Sequence, residues 1–150
     1  MAEPAKEIVA TVLAFFPTEE DRARDRPSGN REPKLREALD RLADADFVTE
    51  MVADPSFRTE RRGTDGFIEA WDDWLEAFET FRVDLDDTIE VGETLLTLVT
   101  LRGVPKGGSA ELVNSNAAVW FVRDGKLARV EFHMDREMAR RSANAGLPDS

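Results

Sequence analysis

The chain has 150 residues, 41% of them hydrophobic and 34% charged, with no cysteine and a formal net charge of −11. This is one domain's length with a globular balance and neither a disulfide framework nor a thiolate site, and an acidic chain without a clustered basic stripe argues against nucleic acid as a partner. No run approaches the roughly 18 apolar residues of a membrane-spanning helix, and the best candidate, Ile8 to Phe16, lacks the basic flank of a signal peptide, so the expected setting is cytoplasmic and away from membranes.

From the N-terminus, Ile8, Val9, Val12, Leu13 and Phe16 recur at helical spacing and predict a short helix over Glu3 to Phe16 with one apolar face. Pro17 stops it. Thr18 to Pro33 is charge-dense, holds Pro27-Ser28-Gly29 at its centre and reads as a loop or linker. Residues 1–32 are therefore taken as an N-terminal helix and polar linker, and 33–150 as the main domain. Pro33 suits a first helical position, and Leu35, Ala38, Leu39 and Leu42 predict a second helix after it. A short third helix is expected around Phe47 to Val52, ending before Pro55.

Phe57 to Arg61 reads as a short strand, followed by a Gly63-Thr64-Asp65-Gly66 turn in which Thr64 is placed to cap the next helix. In that helix, Gly66 to Phe78, the residues Phe67, Trp71, Trp74 and Phe78 form one aromatic stripe. Burying each ring is worth about 1.5–3 kcal/mol, so the stripe faces either a core or a ligand. The two readings merge if the core is hollow.

Four strands follow. Phe81, Val83 and Leu85 alternate with Arg82, Asp84 and Asp86, the pattern of a sheet with one dry face. Leu95 to Leu101 is the next strand, and the glycine- and proline-bearing Arg102 to Ser109 connects it to a long strand from Ala110 to Val122. Asp124-Gly125 supplies the positive φ angles of a two-residue hairpin turn, leading into a final strand, Leu127 to Met134. Helices followed by an antiparallel meander make an α+β layout. The long strand is apolar on both faces near its end, with Ala118 and Trp120 on one side and Ala117, Val119 and Phe121 on the other. It needs two covers. A second subunit is the natural supplier of the second, with the N-terminal helix as the competing explanation.

The hairpin, the Phe132-to-Glu137 segment with its Met134-Asp135 end, and the aromatic helix upstream together resemble the SnoaL-like branch of the nuclear transport factor 2-like superfamily, over roughly Leu35 to Gly146. The resemblance implies a curved antiparallel sheet wrapped around N-terminal helices, cone-shaped with an internal apolar pocket. It also implies a homodimer, since members commonly pair through the sheet. In SnoaL-like cyclases and limonene epoxide hydrolases an inward carboxylate on the last strand acts as base, or activates water with an Arg-x-Asp pair on a middle strand. Registered on the hairpin, those positions fall at Phe132, Thr97 and Val99 in this chain. Ketosteroid isomerases of this fold need a tyrosine, and the chain has none. No catalytic set is recognised, and no cofactor is implied.

On the long strand, parity with Leu112 and Trp120 points Asn114 and Asn116 inward. Amides neither attack nor take a proton, but they orient a carbonyl or a water. They are read as ligand-orienting groups in an apolar pocket, or alternatively as satisfying each other. Trp71, Trp74, Thr97, Trp120, Val130, Phe132 and Met134 are expected to line that pocket. Arg58 falls at a family position that often points into the cone, where it would need a partner; the alternative is an exposed edge beside Glu60. Asp72 and Asp73 read as solvated, His133 as an outer or subunit-contact residue by parity with Arg129 and Glu131, and Asp135 as a helix cap. One histidine and scattered carboxylates do not form a metal set. Three functions stay open: binding of a small apolar molecule, an isomerase, cyclase or hydrolase using unfamiliar groups such as Asn116, Arg58 or Asp73, and a non-catalytic interaction module with a filled interior.

Overall fold

A computed structural model describes residues 3–15, 31–54 and 56–146. The chain runs α1 (Glu3–Phe15), α2 (Arg31–Leu42), β1 (Ala43–Asp54), β2 (Phe57–Arg62), α3 (Gly63–Leu75), β3 (Phe78–Val91), β4 (Thr94–Pro105), β5 (Leu112–Arg123), β6 (Lys126–His133) and α4 (Arg136–Ala145). The linker expected at Thr18 to Pro33 lies mostly outside the described residues, and α2 already begins at Arg31. The strands form one sheet in the order β2-β1-β6-β5-β4-β3. All neighbours are antiparallel except β1 and β6, which run parallel, so the expected antiparallel sheet is in fact mixed. Register shifts in β1 and β3 and between β5 and β6 bend the sheet, as β-bulges do; α1, α2 and α3 pack on the concave side and α4 on the convex one. This is the α+β cone.

The third helix expected at Phe47 to Val52 is instead the middle of β1. Short apolar runs do not distinguish strand from helix by periodicity. Here the ladders decide, because β1 is paired on both edges, by β2 and by β6. The aromatic helix is also shifted: α3 starts at Gly63, whose φ of 73° makes the turn, and Thr64 lies inside the helix rather than capping it. The Thr64 hydroxyl donates to Asp40 Oδ1 on α2 at 2.7 Å. At the far end, Ala77 N–H bonds the Trp74 carbonyl and closes the helix, so Phe78 becomes the first residue of β3, paired with Pro105. Its ring still stacks near Trp74 and Phe81, at 5.8 and 5.2 Å. The segment read as a connection from Arg102 is strand as far as Pro105. Gly103 belongs there because the Phe78 ring lies where a β-carbon would sit, 2.7 Å away. The Asp124-Gly125 turn is as expected, with φ of 55° and 79°.

Two apolar clusters lie on opposite faces of the sheet. The concave one joins α1 (Ala5, Ile8, Val9, Val12), α2 (Leu35, Leu39) and α3 to Ala118, Trp120 and Val122 of β5 and Leu127 and Val130 of β6. The N-terminal helix thus shares the main core. The convex cluster packs Ala117, Val119 and Phe121 of β5 and Leu96 and Leu98 of β4 against Ala139 and Ala143 of α4. The second cover of β5 is therefore α4 of the same chain, and neither a partner subunit nor α1 is needed to explain the doubly apolar strand. Asp135 caps α4 as expected, accepting from Glu137 N–H at 2.9 Å. Arg136 then ties the helix start to the sheet, donating to the carbonyls of Asn116 at 3.0 Å and Val99 at 2.9 Å and to Asp86 at 2.7 Å. Because only alanines fit beneath α4, Ala139→Leu is expected to lower the stability read from urea denaturation by about 1–3 kcal/mol, while Arg140→Leu on the exposed side changes it by less than about 0.5 kcal/mol.

Candidate functional site

Between α3 and the concave side of the sheet lies a cavity of about 260 Å³. Trp71 and Trp74 enter it from α3, with Ala70 and Asp73 on the same helical face. The sheet supplies Met51 and Ala53 from β1, Thr59 and Arg61 from β2, Leu101 from β4, Asn116 from β5, and Phe132 and Met134 at the end of β6. Trp71, Leu101, Asn116 and Phe132 also border a smaller cavity of about 40 Å³, closed by Val9 and Val12 of α1. Phe132 is the partition. Its ring meets Trp71 edge-on at 4.9 Å, Trp120 at 5.7 Å and Phe67 at 6.0 Å.

The structure brings together most of the expected residues. Trp71, Trp74, Asn116, Phe132 and Met134 line the larger cavity, while Thr97 and Trp120 line the smaller one. Thr97 is not free to meet a ligand, because its hydroxyl accepts the Trp120 indole N–H at 3.0 Å. Val130 is fully buried in the concave core and borders neither cavity. Asn114 sits at the exposed rim and donates to Asn116 Oδ1 and, at 3.3 Å, to the Met134 carbonyl. One bond joins the two amides, from Asn114 Nδ2 to Asn116 Oδ1, and Asn116 is the one of the two that faces the cavity.

Arg58 does not point into the cone. Its side chain is 40% exposed on the outer face and grips Glu50 with two bonds of 2.7 and 2.8 Å. The alternation of β2 then places Thr59 and Arg61 inside. Arg61, not Arg58, is the guanidinium of the pocket. It donates to Asp73 Oδ2 at 2.7 Å and lies 3.6 Å from Glu69, so its charge is already countered at the cavity mouth. Met51 was hidden from sequence reasoning because only a strand aims it at the cavity. The period of two in β2 was the one available signal for Thr59 and Arg61.

His133 shares the outer face with Arg129 and Glu131, as parity indicates, but it is buried rather than exposed. It belongs to a network beneath α4. His133 Nε2 lies 2.9 Å from Glu131 Oε1, Ser142 of α4 donates to the same carboxylate, and Arg129 Nε donates to its other oxygen at 2.7 Å. Arg129 also reaches Glu50 and Glu60. The serine bonds the carboxylate rather than the imidazole, so this is not a nucleophile–base relay. Among the described residues no group of three or more His, Cys, Asp or Glu side chains could hold a metal ion. No described helix is long and apolar enough to cross a membrane.

The model of the SnoaL-like domain matches residues 32–130. The chain belongs to the SnoaL-like domain family. No curated protein matches it by sequence. Among solved structures this SnoaL-like domain resembles TerC co-crystallised with polyporic acid (17% identity, TM-score 0.63, 92% of this chain and 96% of that one). It also resembles a nuclear transport factor 2-like protein of unknown function from Burkholderia pseudomallei K96243 (20%, 0.58, 89% and 95%). A third is a hypothetical protein with a ketosteroid isomerase-like fold from Catenulispora acidiphila DSM 44928, in complex with trimethylamine (17%, 0.58, 84% and 83%). These likenesses establish the fold alone.

Burial opposes ionisation of Glu131, but the bonds from His133, Ser142 and Arg129 outweigh it and hold its carboxyl at about 2, below the ordinary 4.5. Its folded-state pKa is thus depressed, so the stability it contributes is complete above about pH 4.5 and disappears as pH falls toward 2. Urea denaturation between pH 7 and pH 2.5 is expected to show that loss, on the order of a few kcal/mol. Glu131→Gln should be less stable at pH 7 and show a correspondingly shallower acid limb.

Proposed function

We propose that this SnoaL-like domain binds a small, mainly apolar and uncharged molecule in the cavity between α3 and the sheet. The observation that carries the reading is the cavity itself: about 260 Å³ walled by aromatic, methionine and alanine side chains, with one buried amide and a guanidinium already paired with Asp73. Ligand clefts of roughly 300–1,000 Å³ are usual for drug-sized molecules. A space just below that range suits a one- or two-ring compound. The countered Arg61 and the chain's net charge of −11 both disfavour an anion. Two fold relatives in complex with small molecules, polyporic acid and trimethylamine, support this use of the fold. An interaction module would have a filled interior, which the open cavity disfavours.

The test uses tetralin, a neutral two-ring hydrocarbon, titrated against the tryptophan fluorescence of the whole chain and against its thermal midpoint. Saturable quenching and an upward shift are expected, since a ligand that binds only the folded state stabilises it. Ala53 lines the cavity from an exposed position. Ala53→Trp should abolish both effects while leaving the unliganded midpoint nearly unchanged. Equal binding by the plugged variant, or none by the native chain, would overturn the proposal.

A further inference from the structure

Asn116 is the polar side chain that lines both cavities while lying only 7% exposed. Its amide has a defined orientation. Asn114 donates to Oδ1, which turns Nδ2 toward the Met134 side of the cavity. There, among the described residues, Nδ2 meets only the Met134 sulfur, at 3.1 Å. A thioether is a weak acceptor, and Nδ2 carries two protons. The backbone beneath is held as well, because Arg136 binds the Asn116 carbonyl at 3.0 Å from the opposite face of the sheet. The site therefore offers a fixed donor, beside an acceptor already engaged by Asn114, where its two compartments meet. Buried donors left poorly paired are costly, and a ligand oxygen is the better partner.

We infer that Asn116 is a specificity-determining residue: it selects a neutral ligand bearing a carbonyl-type oxygen, a ketone, quinone or lactone, in preference to the same skeleton without oxygen. Met134 occupies the donor in the empty protein and yields it to the incoming oxygen. The Asn114 amide acts through Asn116, as a positioning residue that keeps its acceptor end occupied. A hydroxyl fits less well than a carbonyl: it satisfies Nδ2, but its own proton meets an acceptor on Asn116 that Asn114 already engages. This inference rests on the proposed binding of an apolar molecule and adds to it the chemistry of the ligand's one polar atom.

The experiment compares 2-tetralone, tetralin and 2-tetralol by calorimetric titration of the full chain. Tetralone should bind about tenfold more tightly than tetralin, the worth of one well-made buried hydrogen bond, with tetralol between them. Asn116→Leu should bring tetralone down to the affinity of tetralin while tetralin itself is unchanged, a split that a merely structural role would not produce. Met134→Leu, which takes away the competing sulfur, keeps the test decisive if the first variant does not fold: it should raise affinity for the ketone and not for the hydrocarbon. Equal binding of tetralone and tetralin by the native chain overturns the role of Asn116 and leaves the apolar pocket standing. Failure of all three to bind overturns both. A parallel change for both compounds in either variant also overturns the role of Asn116.

Discussion

The second half of strand β5, from Asn116 to Val122, has to exclude water from both faces at once, and the rest of the molecule is arranged around that requirement. Ala118, Trp120 and Val122 look into the cone, where α1, α2 and α3 bury them. Ala117, Val119 and Phe121 look the other way, onto the alanines of α4. A strand with a single cover would leave an apolar stripe in water at about 25 cal/mol per Å². Placing helices on both sides removes it. The same arrangement explains why α4 is narrow-faced and alanine-rich, and why Arg136 clamps its first turn to the carbonyls of β4 and β5.

The two faces use polar groups differently. On the convex side, Glu50, Arg58, Arg129, Glu131, His133 and Ser142 form a continuous charged network, partly sealed by α4. Every such buried charge needs a partner, and the network supplies them. It is an assembly device for β1, β2, β6 and α4. On the concave side the wall is mainly apolar, and several of its polar groups pair with one another: Arg61 with Asp73, Thr97 with Trp120, Asn114 with Asn116. The sorting of charge to one face and neutrality to the other separates the structural half of the sheet from the half suited to a ligand.

The position at which the family resemblance leads one to expect an inward carboxylate has a physical counterpart in the cavity. Where an inward carboxylate on the last strand would require desolvation and a partner, Phe132 instead packs edge-on against Trp71, Trp120 and Phe67. The ring divides the hollow into two compartments and leaves Asn116 as the polar reporter between them.

Local pattern alone was enough for the α+β layout, the Asp124-Gly125 hairpin, the Asp135 cap, the inward set Asn116, Phe132 and Met134, and the apolar character of both faces of β5. Each follows from short-range steric rules or a period of two that nearby residues reveal. It could not decide that Phe47 to Val52 is a strand, since that depends on β2 and β6 arriving on either side. Nor could it tell Arg58 from Arg61: the choice between positions of opposite parity on a short strand rests on register with β1, and a slip of one reverses every side chain. The burial of His133 and the second cover of β5 were likewise settled only by where α4 folds back, a contact between distant parts of the chain that leaves no local trace.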